Sequence, residues 1–229
     1  LEQSGAKGSR KKTSNKWFET QDTINYYEQF AKPKIMYQAF QVKPCFIYDE
    51  QGFYSNNSMW FIPTQSKSLL AILNSKMGWW LITKFCSQIQ NGYQLIWKYF
   101  GQIPIPAVNN DSLLSSLADT MLSLNADLQQ KRSRFLRRLH ENFEGVKITG
   151  ALETFDTLQF ADFLKELKKQ KIKLTLPQQD EWEDYFGQYK TECNSISEQI
   201  AETDKKIDGL VYELYGLTEE EIKVVEKGQ

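Results

Sequence analysis

The chain has one histidine, His140, in 229 residues. It stands beside a run of basic residues with no nucleophile near it in sequence, which argues against a Ser-His-Asp or Cys-His site. A single histidine also argues against a His-rich metal site. The three cysteines, Cys45, Cys86 and Cys193, are far apart and odd in number, and no CxxC spacing occurs. Neither a disulfide framework nor a zinc site is expected, and the setting is expected to be reducing and cytoplasmic. GxxxxGK[ST] and GxGxxG are both missing, so there is no phosphate-cradle signature. The triplet Glu166-Leu-Lys168 has the look of the end of a nuclease motif, but it falls inside the helical stretch ADFLKELKKQ. No apolar run approaches the ~20 residues that a membrane helix needs, and no signal peptide is visible. No metal, cofactor or catalytic constellation is legible.

What is present is enough for a folded core: 41% hydrophobic and 14% aromatic residues. The net charge of −1 conceals a division at Gly101–Pro106, GQIPIP. Residues 16–106 carry 8 Lys/Arg and 5 Asp/Glu, whereas residues 107–229 carry 16 and 23. The first part is aromatic and rich in Asn, Gln and Tyr; the second is acidic and helical. Proline removes a backbone donor and fixes φ, so GQIPIP suits an extended exit from a domain. Residues 1–15 read as a tag remnant or disordered lead-in, and the missing methionine suggests a fragment of something longer.

Residues 107–229 have helical periodicity. Trp182, Phe186, Tyr189, Cys193, Ile196, Ile200, Thr203, Ile207, Leu210 and Leu214 alternate at spacings of four and three, a coiled-coil-like seam. Thr175-Leu-Pro-Gln178 opens this stretch as a capping box and Tyr215-Gly216 closes it. A second stripe runs Leu113, Leu117, Met121, Leu124, Leu128, Phe135, Leu139. Neither stripe can be buried alone. The pattern predicts long helices over about 111–143 and 177–215, packed as an antiparallel pair and joined by an insert, 144–176. That insert holds a glycine turn, a helix around LQFADFLKELKKQ and an extended KIKLTLP. The basic run Lys131, Arg132, Arg134, Arg137, Arg138 suits phosphate contact or a solvated helix face.

Residues 16–106 read as an α+β domain. TQDTINYYEQFAKP is a short helix stopped by Pro33. KIMYQAF, CFIYD and SMWFIP are strands separated by turn signals. SKSLLAILNS and KMGWWLITKF are helices separated by a kink, and YQLIWKYFGQIPIP is extended. The fold class expected is therefore α+β: a small mixed sheet-and-helix domain followed by a long antiparallel helix pair.

These residues also form an ordered set of motifs. The opening KW-E-Q (Lys16, Trp17, Glu19, Gln21) is followed by PKIMYQ (Pro33 to Gln38), Tyr48-Asp49, and GFYSNNS-W-I (Gly52 to Ser58, Trp60, Ile62). LL-ILNSK (Leu69, Leu70, Ile72 to Lys76) and an aromatic run into IPIP (Ile103 to Pro106) complete it. In this order they resemble the TaqI-like C-terminal specificity (target recognition) domain. That domain occurs in type IIG restriction–modification enzymes and related adenine-N6 DNA methyltransferases. The tail, KELKKQKIKLTLPQQDEWEDYF and DGLVYELYGLTEEEI, is similar to the C-terminal helices of such enzymes. The resemblance implies a module that recognises a target sequence in double-stranded DNA and positions it for methylation, with or without cleavage, by upstream domains. S-adenosylmethionine would belong to the upstream methyltransferase domain of the same chain, with no cofactor in this part. The NPPY-type catalytic loop of the family has no counterpart here, since no Pro-Pro dipeptide occurs. This part alone is therefore expected not to be an enzyme.

Base edges are read by Gln and Asn on adenine and by Arg and Lys on guanine, while Lys, Ser and Tyr hold phosphates. Three polar loops offer such groups. Lys32, Lys34, Gln38, Gln41 and Lys43 surround one hairpin. Tyr54, Ser55, Asn56 and Asn57 form the next loop, and Gln90, Asn91 and Tyr93 a third; Lys98 follows. Lys34, Lys43 and Lys98 are the expected phosphate contacts, and Gln38 and Asn56 the expected base readers. The alternative is a protein-interaction module whose helix pair docks a partner subunit. No membrane partner is expected.

Overall fold

The computed structural model describes residues 5, 7, 12–16, 18–19, 24–56, 58–107 and 112–228. Trp17 and Gln21 of the opening motif, Asn57, and most of the expected lead-in 1–15 lie outside the described residues. The chain is mixed α+β, with small antiparallel sheets and a long helix pair. It divides into two compact units, residues 1–66 with 85–102, and residues 67–84 with 103–229.

The first unit begins with a 3-10 helix, Tyr27–Ala31, shorter than the helix expected over 20–33. Strand β1, Lys34–Gln38, lies between β3, Phe46–Asp49, and β4, Met59–Pro63, both antiparallel to it. Ile35, Met36 and Tyr37 are buried, as a central strand requires. A second small sheet is built from β2, Phe40–Gln41, β5, Ser87–Ile89, and β6, Gly92–Gln94, in the order β2-β6-β5. Ala39 links the two sheets: its N–H donates to Ser58 O (3.0 Å) and its carbonyl accepts from Leu95 N–H (2.8 Å). One chain segment, bent at Ala39, thus serves as a strand in both.

The second unit takes in helices α1, Lys67–Asn74, and α2, Lys76–Phe85, which the sequence boundary near 106 grouped with the strands. The reason is apolar content: Leu70, Ala71, Ile72 and Leu73 are buried, and α1 packs on α4, Ser112–Asn142. In the first unit α3, Trp97–Phe100, is a single helical turn where extended chain was expected. Its Phe100 packs against Tyr37 (5.1 Å between ring centroids) and Phe46 (5.8 Å). That buried anchor outweighs the β-propensity of YQLIWKYF.

Helix α4 pairs with α7, Leu176–Leu214. Lys131 meets Glu192 while Phe143 meets Trp182, so the two run antiparallel. Between them lie α5, Gly150–Glu153, a 3-10 turn, Phe155–Thr157, and α6, Phe160–Lys169; α8, Glu219–Lys227, follows. Thr175 N–H donates to Gln178 Oε1 (2.9 Å) at the start of α7. At its end Gly216, at φ 65°, allows Gly216 N–H and Leu217 N–H to reach back to Glu213 and Tyr212 carbonyls.

The buried stripes differ from the simple seams. On α4 the buried positions are Leu114, Ala118, Phe135 and Leu139, and Leu113 is exposed. On α7 the stripe turns after Thr203 to Ile207, Asp208, Val211 and Tyr212. Both shifts follow from added neighbours. Near Phe135 the core is supplied by the insert, with Phe155 stacked 3.7 Å away and Phe163, Trp182 and Phe186 within 6.1 Å. Toward the other end α1 packs against both long helices.

Candidate nucleic-acid interface

Two of the expected contact residues belong to the interior. Lys34 is 0% exposed; its ammonium is bound by Asp49 and also donates to Phe30 O at 2.6 Å. The register that pairs Lys34 with Asp49 across β1 and β3 makes this contact unavoidable. Asp49 also accepts the N–H groups of Gln51 (2.8 Å) and Phe53 (2.9 Å). Burial alone would raise the Asp49 carboxyl; its bonds from Lys34, Gln51 and Phe53 outweigh that and hold it below the usual carboxylate range. Lys34 is thus the anchor of the loop that leads to Tyr54, and no phosphate reaches it. Gln41, 3% exposed, clamps its own turn: Oε1 accepts Cys45 N–H (3.0 Å) and Nε2 donates to Cys45 O (3.3 Å). Both are corrections to the surface role expected for them. Lys34 is buried because the central strand β1 is covered on both faces, and Gln41 because it alternates with exposed Phe40.

The remaining positions are brought to distinct places. Gln38 is exposed at the end of β1 opposite Met59, and Met59 N–H donates to Asn56 O (3.2 Å). Gln38, Ser55 and Asn56 therefore share one end of the first sheet. The Asn56 carboxamide oxygen is held by Ser58, from the N–H at 3.0 Å and the hydroxyl at 2.6 Å. Tyr54 is 75% exposed and stacks on Phe30 (4.8 Å), near exposed Lys32. In the second sheet Gln41 pairs with Tyr93, so Lys43 lies toward the tip of the β5–β6 hairpin. That tip is Gln90, at φ 52°, and Asn91, both exposed. Residues 87–94 are thus a hairpin where a loop was expected, and Tyr93 is one of its strand residues. Lys98 is exposed on α3, with its ammonium 5.3 Å from the Tyr99 ring.

The sequence did not reveal a groove of about 510 Å³ in the same unit. Tyr26, Phe30, Trp60, Phe61 and Trp97 wall it, with buried Tyr37 also lining it, and Ser55 and Asn56 supply its neutral polar edge. Burial, and then the neighbouring Cys86, push the Tyr37 phenol up to about 12, so it stays a neutral hydroxyl. The signal in the sequence was the aromatic content itself, but only the fold collects Tyr26, Trp60 and Trp97.

The basic run on α4 is largely engaged within the protein. Arg132 makes two bonds to Asp156, Nε to Oδ1 at 2.8 Å and an Nη to Oδ2 at 2.7 Å. Lys131 is paired with Glu192, and Arg138 with Glu141 at 3.1 Å. Other chemistry is sparse. His140 is exposed on α4. Cys86 and Cys193 are buried, and burial pushes both thiols up to about 11. Among the described residues no cluster of three or more His, Cys, Asp or Glu could hold a metal ion. No helix among them is long and apolar enough to cross a membrane.

No curated protein and no solved structure matches the chain. Two family models do. Residues 108–211 match a domain of unknown function (DUF8810), and residues 3–105 match the TaqI-like C-terminal specificity domain. The junction between them falls at the end of IPIP. Both sheets, the polar loops and the aromatic groove lie within residues 3–105, the stretch that matches the TaqI-like C-terminal specificity domain.

Proposed function

We propose that the chain is a DNA target-recognition module of a restriction–modification enzyme. Its first unit reads duplex DNA and presents it for adenine methylation, with or without cleavage, by a methyltransferase domain upstream in the same chain. The match of residues 3–105 to a specificity domain carries this reading. The exposed polar groups agree with it: Gln38 and Asn56 at one sheet end, Gln90 and Asn91 at the hairpin tip, with Lys32, Lys43 and Lys98 as cations. From residue 16 to 106 every cation is a lysine, a point charge suited to phosphate rather than a planar fork. In this reading the module binds no cofactor and does no chemistry itself; S-adenosylmethionine belongs to the upstream domain.

The test is selection of duplexes from a random pool by the whole chain at about 50 mM salt, where phosphate contacts are least screened. The reading expects enrichment of one short motif, and loss of that motif for Gln38→Ala or Asn56→Ala. Recovery of an unenriched pool would sink it. The role in methylation is tested by methylation sequencing of DNA from cells expressing the parent enzyme, where Asn56→Ala is expected to broaden the methylated sequence.

A further inference from the structure

The groove in the first unit has features that the reading of paired DNA does not use. Its walls are mostly aromatic side chains, and two of them stand well out of the core: Trp97 is 60% exposed and Tyr26 is 53% exposed. Exposed aromatic surface gathered in one concavity, rather than scattered singly, marks a binding site. A volume of about 510 Å³ falls within the range of small-ligand sites. Among the described residues no charged side chain lines it, which suits an occupant that is neutral where it contacts the walls. Ser55 and Asn56 add hydrogen-bonding groups at one edge. The Asn56 oxygen is already engaged by Ser58, which leaves the carboxamide nitrogen as a donor. Cations flank the walls in the chain: Lys32 lies two residues after Phe30 and Lys98 directly after Trp97, and both are exposed. A neutral, planar occupant with a polar edge, tethered to a backbone of negative charge, meets all these conditions.

We propose that this groove takes a nucleobase that has left the stack of the bound DNA. The base lies against the rings of Trp97 and Tyr26, its edge meets Asn56 and Ser55, and the adjoining phosphates meet Lys32 and Lys98. Every base has a π-face, so stacking tolerates any sequence. The groove therefore adds affinity for an opened site, whereas the polar loops choose the site. This inference rests on the DNA-reading function proposed above.

The experiment titrates the whole chain into two labelled duplexes of the same sequence, one fully paired and one with a single bulged 2-aminopurine. Wild type is expected to bind the bulged duplex about 10-fold more tightly, the order of one base–aromatic stack, and to quench the 2-aminopurine emission. Trp97→Ala and Tyr26→Ala should each remove most of that advantage and the quenching, while leaving affinity for the paired duplex and the melting temperature unchanged. Tyr26→Phe, which keeps the ring, should retain both. Equal binding of the two duplexes by wild type, or an advantage that survives Trp97→Ala and Tyr26→Ala, overturns the groove assignment and leaves the DNA-reading function standing. Equal binding is also what an apolar side chain of a protein partner, as the groove's occupant, predicts. Failure of wild type to bind either duplex overturns both.

Discussion

The ammonium of Lys34 is bound by the carboxylate of Asp49 across adjacent strands, and both side chains are buried. A charged pair in this position is held by the geometry around it. Asp49 receives two backbone N–H groups besides Lys34, and Lys34 donates to Phe30 O as well. Removing one partner leaves the other charge buried and unpaired, which costs about 3–5 kcal/mol. Lys34→Ala should lower stability by that order, whereas Lys34→Met with Asp49→Leu should recover much of it. Urea unfolding of the three proteins checks this.

The same pair sets an acid limit. The Asp49 carboxyl is held below its unfolded value, so its contribution is fully present above the usual carboxylate range and is lost as pH falls through the folded value. Wild type should lose stability on acidification below about pH 4. Asp49→Asn, less stable at neutral pH, should show a shallower loss. Melting temperatures from pH 2 to pH 7 decide it.

Asp204 is expected to behave in the opposite sense. Burial, and then the charge of Asp208, raise its carboxyl above the ordinary value, with Lys76 opposing them. A raised folded value means a contribution that is present at low pH and lost as pH rises through it. Asp204→Asn should therefore raise the melting temperature at pH 7 and change it little at pH 3. A stabilisation of equal size at both pH values would contradict this.

Arg132 and Asp156 join α4 to the 3-10 turn of the insert, and Asp156 is 2% exposed. Lysine cannot reproduce the two-pronged contact. Arg132→Lys should destabilise the protein by about 1–3 kcal/mol and Arg132→Leu by about 3–5 kcal/mol. Calorimetry should show that order; equal effects would mean that a retained charge contributes nothing without the two-pronged contact.

On the proposed interface, Lys43→Ala and Lys98→Ala should weaken binding to all duplexes alike and reduce the salt slope by ~0.9 for each phosphate no longer neutralised. Gln38→Ala should relax sequence preference instead, by ~1–3 kcal/mol for a bidentate pair, and Asn56→Ala, whose oxygen is held by Ser58, should relax it by less. Binding titrations at several salt concentrations separate the two. If charge reversal at Arg134 and Arg137 abolishes binding while Lys43→Ala and Lys98→Ala leave it intact, the DNA face is on the helices.

Much of the fold was legible because it is written in local periodicity. The 4-3 spacing from Trp182, the capping box at Thr175 and the glycine at 216 place α7 and its ends without reference to the rest of the chain. The short apolar runs KIMYQ, FIYD and MWFIP and the turn signals between them place β1, β3 and β4. The set of motifs from Pro33 to Pro106 carried the family. Local pattern could not decide partnership. Lys34 looked like a surface cation because lysine usually is one; the β1–β3 register, which puts Asp49 opposite it, made it a core residue. Gln41 looked like a reader until its turn folded back on it. The stripe on α4 moved from Leu113 to Leu114 because α1, some forty residues earlier, packs there. The groove joins rings from positions 26, 30, 60, 61 and 97, which share no spacing. Sequence alone determined the long helices, the strands of the first sheet and the resemblance that residues 3–105 bear to a specificity domain; it missed the turn at Trp97–Phe100 and the hairpin at 87–94. Tertiary structure decided which charges are exposed and which rings meet, because both depend on contacts between segments far apart in the chain.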